Sequence, residues 1–244
     1  MRLWQSVAAV LLVVAVSLGY LVMQTERTQN DLIQEFIPVA GMRHLSLPDG
    51  SQVQLNSKST LLYPKQFTGK ERCVYLVGEA NFKVKPDKKH PFIVKSDDFQ
   101  VTALGTEFNV SAYPENQEIS TALLSGSVLV EWGNLTQRTV LQPDEQLTYD
   151  KENRQFRVVH PDMADVTAWQ RGELVFNEMT VEDIIRVLER KYNYTFVYSL
   201  NQLKKDRLSF RFKDKAPLAE VMDIIVDVAG NLKFKIERDK CYIT

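Results

Sequence analysis

The sequence predicts a membrane-anchored protein: one transmembrane helix, a large all-β domain, and a small α+β domain at the carboxy-terminal end. Three observations lead there. An uncharged apolar run stands near the start, short segments with period-2 alternation fill the middle, and two helical periods mark the end. Charge is balanced, with 30 Lys+Arg against 31 Asp+Glu for a formal −1. Nucleic-acid binding leaves a basic footprint that this chain lacks.

From Val7 to Met23 the chain has no charged residue and no proline. With Leu3 and Trp4, about 20 residues at ~1.5 Å each cross a hydrocarbon core of ~30 Å. An export signal has a shorter apolar region, ~7–15 residues, closed by a small-x-small site. The nearest such site, Ser17-Leu18-Gly19, lies inside the run, which favours a retained anchor over a cleaved signal. Arg2 precedes the run, and Glu26, Asp31 and Glu35 follow it. Positive charge stays on the cytoplasmic side, so the amino terminus is expected inside and the bulk exported. Residues 1–6 then form a cytoplasmic stub, 7–23 the membrane helix and 24–36 a polar spacer.

Residues 37–160 read as the all-β domain, solenoid- or sandwich-like. Val53/Leu55, Phe99/Val101/Ala103, Phe108/Val110/Ala112 and Val128/Val130/Trp132 alternate with polar residues. Turn formers such as Pro48-Asp49-Gly50, Pro86-Asp87, Pro114-Glu115-Asn116 and Pro143-Asp144 separate them. Many short strands at ~8–12-residue spacing indicate this class. In Pro48-Asp49-Gly50 proline fixes φ and glycine accepts a positive φ. Gly78 and Gly105 mark bends or close backbone approaches. Phe82, Phe92, Phe108, Val110 and Val128 are expected in the core.

After a linker at 161–168, residues 169–244 read as the α+β domain. Val181, Ile184, Ile185 and Leu188 follow the i, i+3, i+4, i+7 rule. Thr180 is a candidate N-cap with Asp183 three residues on, and Arg190 and Lys191 suit the helix C-terminus. A second helix is expected from Pro217 to Gly230, burying Leu218, Val221, Met222 and Ile225. Strands are expected at 174–176, 194–198, 208–212, 232–236 and 241–243. "FNEMTVEDII" from Phe176 aligns with "FKDKAPLAEVM" from Phe212 after one insertion. Two such units predict a β-α-β-β-α-β module with two helices on one sheet.

The residues that usually carry chemistry are scattered. His44, His90 and His160 stand apart and form no ligand pair, so no metal or cofactor is expected. "LLSGSVLV" around Ser125 and Ser127 lacks the G-x-S-x-G of a nucleophile elbow and reads as a tight hairpin turn. "ALGTEF" has one glycine and makes no phosphate loop. Asp97-Asp98 and Glu182-Asp183 read as a solvated turn and helix-start charge. Cys73 and Cys241 read as buried thiols in preference to a bridge. The triplets at Asn109, Asn134 and Asn193 fit N-glycosylation by chance as easily as by purpose. No catalytic residues are assigned, and a binding or signalling module is expected rather than an enzyme.

A family resemblance runs through both domains. "LPDGSQVQLNSKSTLLYPKQF" (Leu47 to Phe67), "RCVYLVGEANFKV" (Arg72 to Val84), "HPFIV" (His90 to Val94), "VTALGTEFNVSAYPEN" (Val101 to Asn116), "LLSGSVLV" and "LQPDEQLTY" resemble successive blocks of FecR-family transmembrane sigma-factor regulators. "WQRGELVFNEMTVEDIIRVLERKYN" and "APLAEVMDIIV" resemble the carboxy-terminal domain of the FecR-like proteins of Bacteroidetes. The motif residues carrying the resemblance are Pro48, Asp49, Gly50, Gly78, Glu79, Phe82, Gly105, Thr106, Phe108, Asn109, Val110, Gly126 and Pro143. Asn81 and Lys83 depart from the family pattern and are expected to face solvent.

The resemblance implies an inner-membrane anti-sigma factor without enzymatic activity. Its implied partners are an extracytoplasmic-function sigma factor and the amino-terminal signalling domain of a TonB-dependent outer-membrane transducer, in iron or glycan uptake. It also implies a secretin/TonB short N-terminal-like fold for the last domain, whose sheet edges could dock a partner by β-augmentation. Six residues are too few to hold a folded sigma factor, so the sigma-binding part is expected outside this chain. The alternative is an anchored periplasmic module that binds glycan or another envelope component and touches no sigma factor.

Overall fold

The structure, a computed structural model, describes residues 4, 11–20, 32–133, 135–199, 203, 207–213, 216–230 and 232–244. The β domain begins with β1 (Leu32–Phe36), β2 (Arg43–Ser46), β3 (Gln52–Leu55), β4 (Thr60–Pro64) and the long β5 (Arg72–Lys83). It continues through β6 (Phe92–Ser96), β7 (Phe99–Ala103), β8 (Glu107–Ala112) and β9 (Glu118–Ser125). It closes with β10 (Val128–Trp132), β11 (Gln137–Leu141), β12 (Gln146–Asp150) and β13 (Gln155–Val159).

Strand β5 belongs to two sheets. Its first half pairs with β4 and with β6, the latter in parallel, and its second half pairs with β3 and β8. One sheet therefore runs β1-β4-β5-β6-β7-β10-β11 and the other β2-β3-β5-β8-β9-β12-β13. The sheets close over a common core in which Phe82, Phe92, Phe108, Val110 and Val128 are all buried, as expected. Phe82 stacks on Phe108 with ring centroids 5.4 Å apart.

Gly78 stands where β5 passes from one sheet to the other, at φ 105°. A Cβ there would lie 2.4 Å from Ser59 Oγ and 2.7 Å from its Cα. Only glycine combines that dihedral with so close a backbone approach. The two-sheet arrangement thus hangs on a residue whose chief property is the absence of a side chain.

Three expectations for this part of the chain are corrected. The polar spacer at 24–36 contains β1, whose Leu32–Phe36 pairs antiparallel with β4; the polar run at 24–31 and the Gln34-Glu35 pair masked so short a strand in the sequence. The turn at Ser125-Gly126-Ser127 is tight but no hairpin. It carries the chain from β9 in one sheet to β10 in the other, and those strands do not pair. Asn81 is buried against β8, opposite Asn109, while Lys83 is exposed as expected.

The second domain holds β14 (Leu174–Thr180), β15 (Thr195–Val197), β16 (Arg207–Phe212), β17 (Phe234–Glu237) and β18 (Lys240–Ile243). A short helix, α1 (Met163–Val166), and a 3-10 turn, Ala168–Arg171, precede them in the stretch expected as linker and just after it. The main helices are α2 (Val181–Lys191) and α3 (Leu218–Ala229). Thr180 caps α2 as predicted, its hydroxyl oxygen accepting from Asp183 N at 3.2 Å. Val181, Ile184, Ile185 and Leu188 are buried, as are Leu218, Val221, Met222 and Ile225. Pro217 is the N-cap of α3, and Gly230 ends it at φ 71°. The single sheet is corrected to two: β14 pairs with β16, and β15-β18-β17 form a separate sheet. The element order and the apolar faces survive that correction.

Residues 11–20 are helical and exposed. Among the described residues no helix is long and apolar enough to cross a membrane. The expected anchor at 7–23 extends at both ends beyond the described residues.

Candidate functional site at the domain junction

Two polar clusters fasten the domains together. The first grows from the bend of β5. Glu79 follows Gly78, and its carboxylate accepts from Asn56 Nδ2 at 2.8 Å and Asn109 Nδ2 at 3.0 Å. Asn109 in turn accepts from Trp169 Nε1 at 3.2 Å, across the gap to the 3-10 turn. Burial pushes the Glu79 carboxyl above its ordinary value, while the two asparagine amides and the Arg190 charge pull the other way. The net shift is upward, so desolvation wins.

The second cluster centres on Arg190 near the end of α2, a residue only 7% exposed. Its Nη1 donates to Glu115 Oε1 at 2.9 Å and to Asn116 Oδ1 at 3.1 Å. The guanidinium lies 3.9 Å from the centroid of the Tyr113 ring, a cation–π contact. Its carbonyl accepts from Ala40 N at 3.0 Å. One helical turn earlier, Arg186 donates to the Glu115 carbonyl and to Glu182. Tyr113 donates to Ser57 O at 2.8 Å, and burial raises its hydroxyl pKa. Between the clusters lies a cavity of about 210 Å³ walled by Asn56, Glu79, Trp169, Val187 and Arg190. A wider polar cleft of about 1360 Å³ opens beside it, between the Pro114–Glu118 loop, β12 and β13, and the start of α2.

The motif residues do not converge on one site. Gly78, Glu79 and Asn109 meet at the junction; Phe82, Phe108 and Val110 are core. Pro48-Asp49-Gly50 makes the β2–β3 turn, with Gly50 N donating to Leu47 O at 2.9 Å. Asp49 does more than turn the chain: it pairs with the buried Arg72 at 2.6 Å. Gly105 approaches Pro86 so closely that a Cβ would sit 2.7 Å from its Cα. Gly126 packs on Thr106, where a Cβ would meet Cγ2 at 2.6 Å. Pro143 is exposed in the β11–β12 turn.

Arg190, Trp169, Tyr113, Glu115 and Arg72 were not singled out for these contacts by sequence pattern. Arg190 read as a partner of the helix dipole, and nothing local tells a dipole partner from an interface residue. Asn109 is 3% exposed and hydrogen-bonded, which removes it as a glycosylation acceptor; Asn134 lies outside the described residues. His90 pairs with Asp87 at 2.8 Å and His160 with Glu145 at 3.6 Å. Among the described residues no three potential metal ligands gather. Cys73 and Cys241 are free, and burial pushes the Cys241 thiol up to about 11.

Residues 36–129 match the family described as FecR protein, and residues 173–243 match the one described as FecR, C-terminal. The chain is similar to two crystal structures of a "putative anti-sigma factor" from Parabacteroides distasonis ATCC 8503, at 2.50 Å and 1.65 Å resolution. The first is 31% identical with a TM-score of 0.82, and the second 30% identical with 0.81. Each comparison covers 87% of this chain and 98% of the other. The chain belongs to the FecR family. No curated protein matches it. The two FecR matches fall on either side of the junction: Glu79 and Asn109 lie in the first and Arg190 in the second. Trp169 lies between them.

Proposed function

We propose that this FecR-family chain is a non-enzymatic sigma-factor regulator, anchored in the inner membrane by residues 7–23 with its two domains in the periplasm. The observation that carries the reading is 31% identity over 98% of a relative described as a "putative anti-sigma factor", together with the two FecR matches in this chain. In this reading the α+β domain receives a signal from the amino-terminal domain of a TonB-dependent outer-membrane transducer. The junction transmits it to the β domain, because Arg190 ties α2 to the Tyr113–Asn116 segment after β8 and Trp169 ties the 3-10 turn through Asn109 to Glu79 at the bend of β5. The sigma factor lies on the cytoplasmic side of that anchor.

The test has two arms. The periplasmic part should retain the signalling domain of a transducer encoded nearby, and deletion of the gene should change transcription of the adjacent uptake genes. Retention without any transcriptional change would remove the sigma-factor role. The polar cleft beside the junction favours the second reading, an envelope module that binds glycan. Calorimetric titration with the glycan imported by the neighbouring transporter separates the two: heat of binding in the absence of the signalling domain supports the second.

A further inference from the structure

An antiparallel sheet with one face on the core normally shows water an alternation ending in charged side chains. The outer face of β1, β4 and β5 does not. Cross-strand rows place Phe36 beside Thr60 and Val77, and Gln34 beside Leu62 and Tyr75. Leu32, Phe36, Tyr75 and Val77 are 45–57% exposed. The other positions of that face are Gln34, Thr60, Leu62, Pro64 and Cys73, so none of the three strands contributes a charge to it. The carboxylate of β1, Glu35, lies on the opposite side and is held by Arg43 at 2.6 Å. A contiguous uncharged face of this kind marks something that covers it.

We propose that this face rests on the lipid bilayer. The inference depends on residues 7–23 being a membrane anchor. If they are, Leu32 follows Met23 by nine residues, and a chain of that length spans at most ~30 Å. Strand β1 is therefore leashed close to the membrane, and it is also the edge strand on which Leu32 and Phe36 project. Tyr75 is of the residue type that settles at the boundary of hydrocarbon and headgroup. The nearest charge on the neighbouring strand is positive: Lys95 is paired with Tyr75 in register, its ammonium 6.0 Å from the ring centroid. That charge suits an anionic phospholipid headgroup. Docking in this way fixes the β domain's orientation, and with it the side from which a partner can approach the junction.

The experiment uses the full chain reconstituted in vesicles of phosphatidylethanolamine and phosphatidylglycerol, part of it brominated on the acyl chain. An environment-sensitive fluorophore is attached to single cysteines in a Cys73→Ser, Cys241→Ser background whose folding is verified by circular dichroism. Leu12→Cys reports the anchor, Val77→Cys the proposed face, and Ser46→Cys the outer face of the other sheet. The expected result is a blue shift and loss of emission by bromine quenching at positions 12 and 77, with neither at 46. Quenching at 12 without quenching at 77 overturns the docking while the anchor stands. A blue shift at 77 that bromine does not quench assigns the face to a protein or a second copy, and also overturns it. Quenching at neither position removes the anchor and the docking together.

Discussion

At the scale of single residues, the glycines and one carboxylate determine what the β domain can tolerate. Gly105 combines φ 144° with a Cβ position 2.7 Å from Pro86 Cα. Gly105→Val must shift backbone, and the expected loss is about 3 kcal/mol by urea unfolding of residues 32–244. A variant with unchanged midpoint would show that Pro86 yields freely. Glu79 offers a test in pH. Its folded-state pKa is raised above the ordinary 4.5, so the fold favours the neutral carboxyl. Its stabilising contribution is present below pH 4.5 and is lost as pH rises through the elevated value. Asp87 works in the other sense, held down to about 2 by its bonds to His90 and Lys89. Its contribution is present above its ordinary 3.8 and is lost as pH falls towards 2. Thermal midpoints of wild type minus Glu79→Gln should therefore decline as pH rises from 4.5; a flat difference would mean Glu79 titrates normally.

Among the elements, α2 carries two jobs at once. Its apolar stripe of Val181, Ile184, Ile185 and Leu188 builds the second core, and its basic residues dock on the β domain. Arg190→Ala removes a charged pair, a hydrogen bond and a cation–π contact in one step. About 2–3 kcal/mol should leave the junction, and limited proteolysis within 161–168 should accelerate while each domain keeps its own circular dichroism. Unchanged cleavage would assign the coupling to Trp169 instead. The double role also explains what sequence could show. The stripe was legible because burial imposes a 3.6-residue period on apolar positions. The docking was not, because Arg190 finds Glu115 and Tyr113 across some 75 residues of chain, and no local period records a contact of that kind. Likewise β1 was hidden because the polar run of residues 24–31 leads straight into a strand of only five residues that itself holds Gln34 and Glu35. Glu79 and Asn109 were legible as family motif residues, but their meeting at the junction depends on the register of β5 and β8.

Across the whole molecule, the shared strand makes the two sheets one cooperative unit. The amides of β5 lie between two strands in each half, β4 and β6 in the first and β3 and β8 in the second. They should exchange with deuterium at the rate of global unfolding, while those of edge strands β11 and β13 exchange earlier through local opening. Distinct slow phases for the halves of β5 would divide the domain at Gly78. The α+β domain has its own core and joins through polar contacts, which makes the junction the natural place for relative movement.

Strand β1 has a mechanical consequence if the protein hangs from its amino-terminal end. It is held to β4 by five register pairs, and among the described residues no strand pairs with its other edge. A pull directed across those pairs would strip it one rung at a time, as a zipper opens, at low force. β5, clamped on both flanks, would have to break its ladders together. Tension arriving through the amino end would thus be absorbed by losing one strand, and the core and the junction would not feel it until β1 was gone.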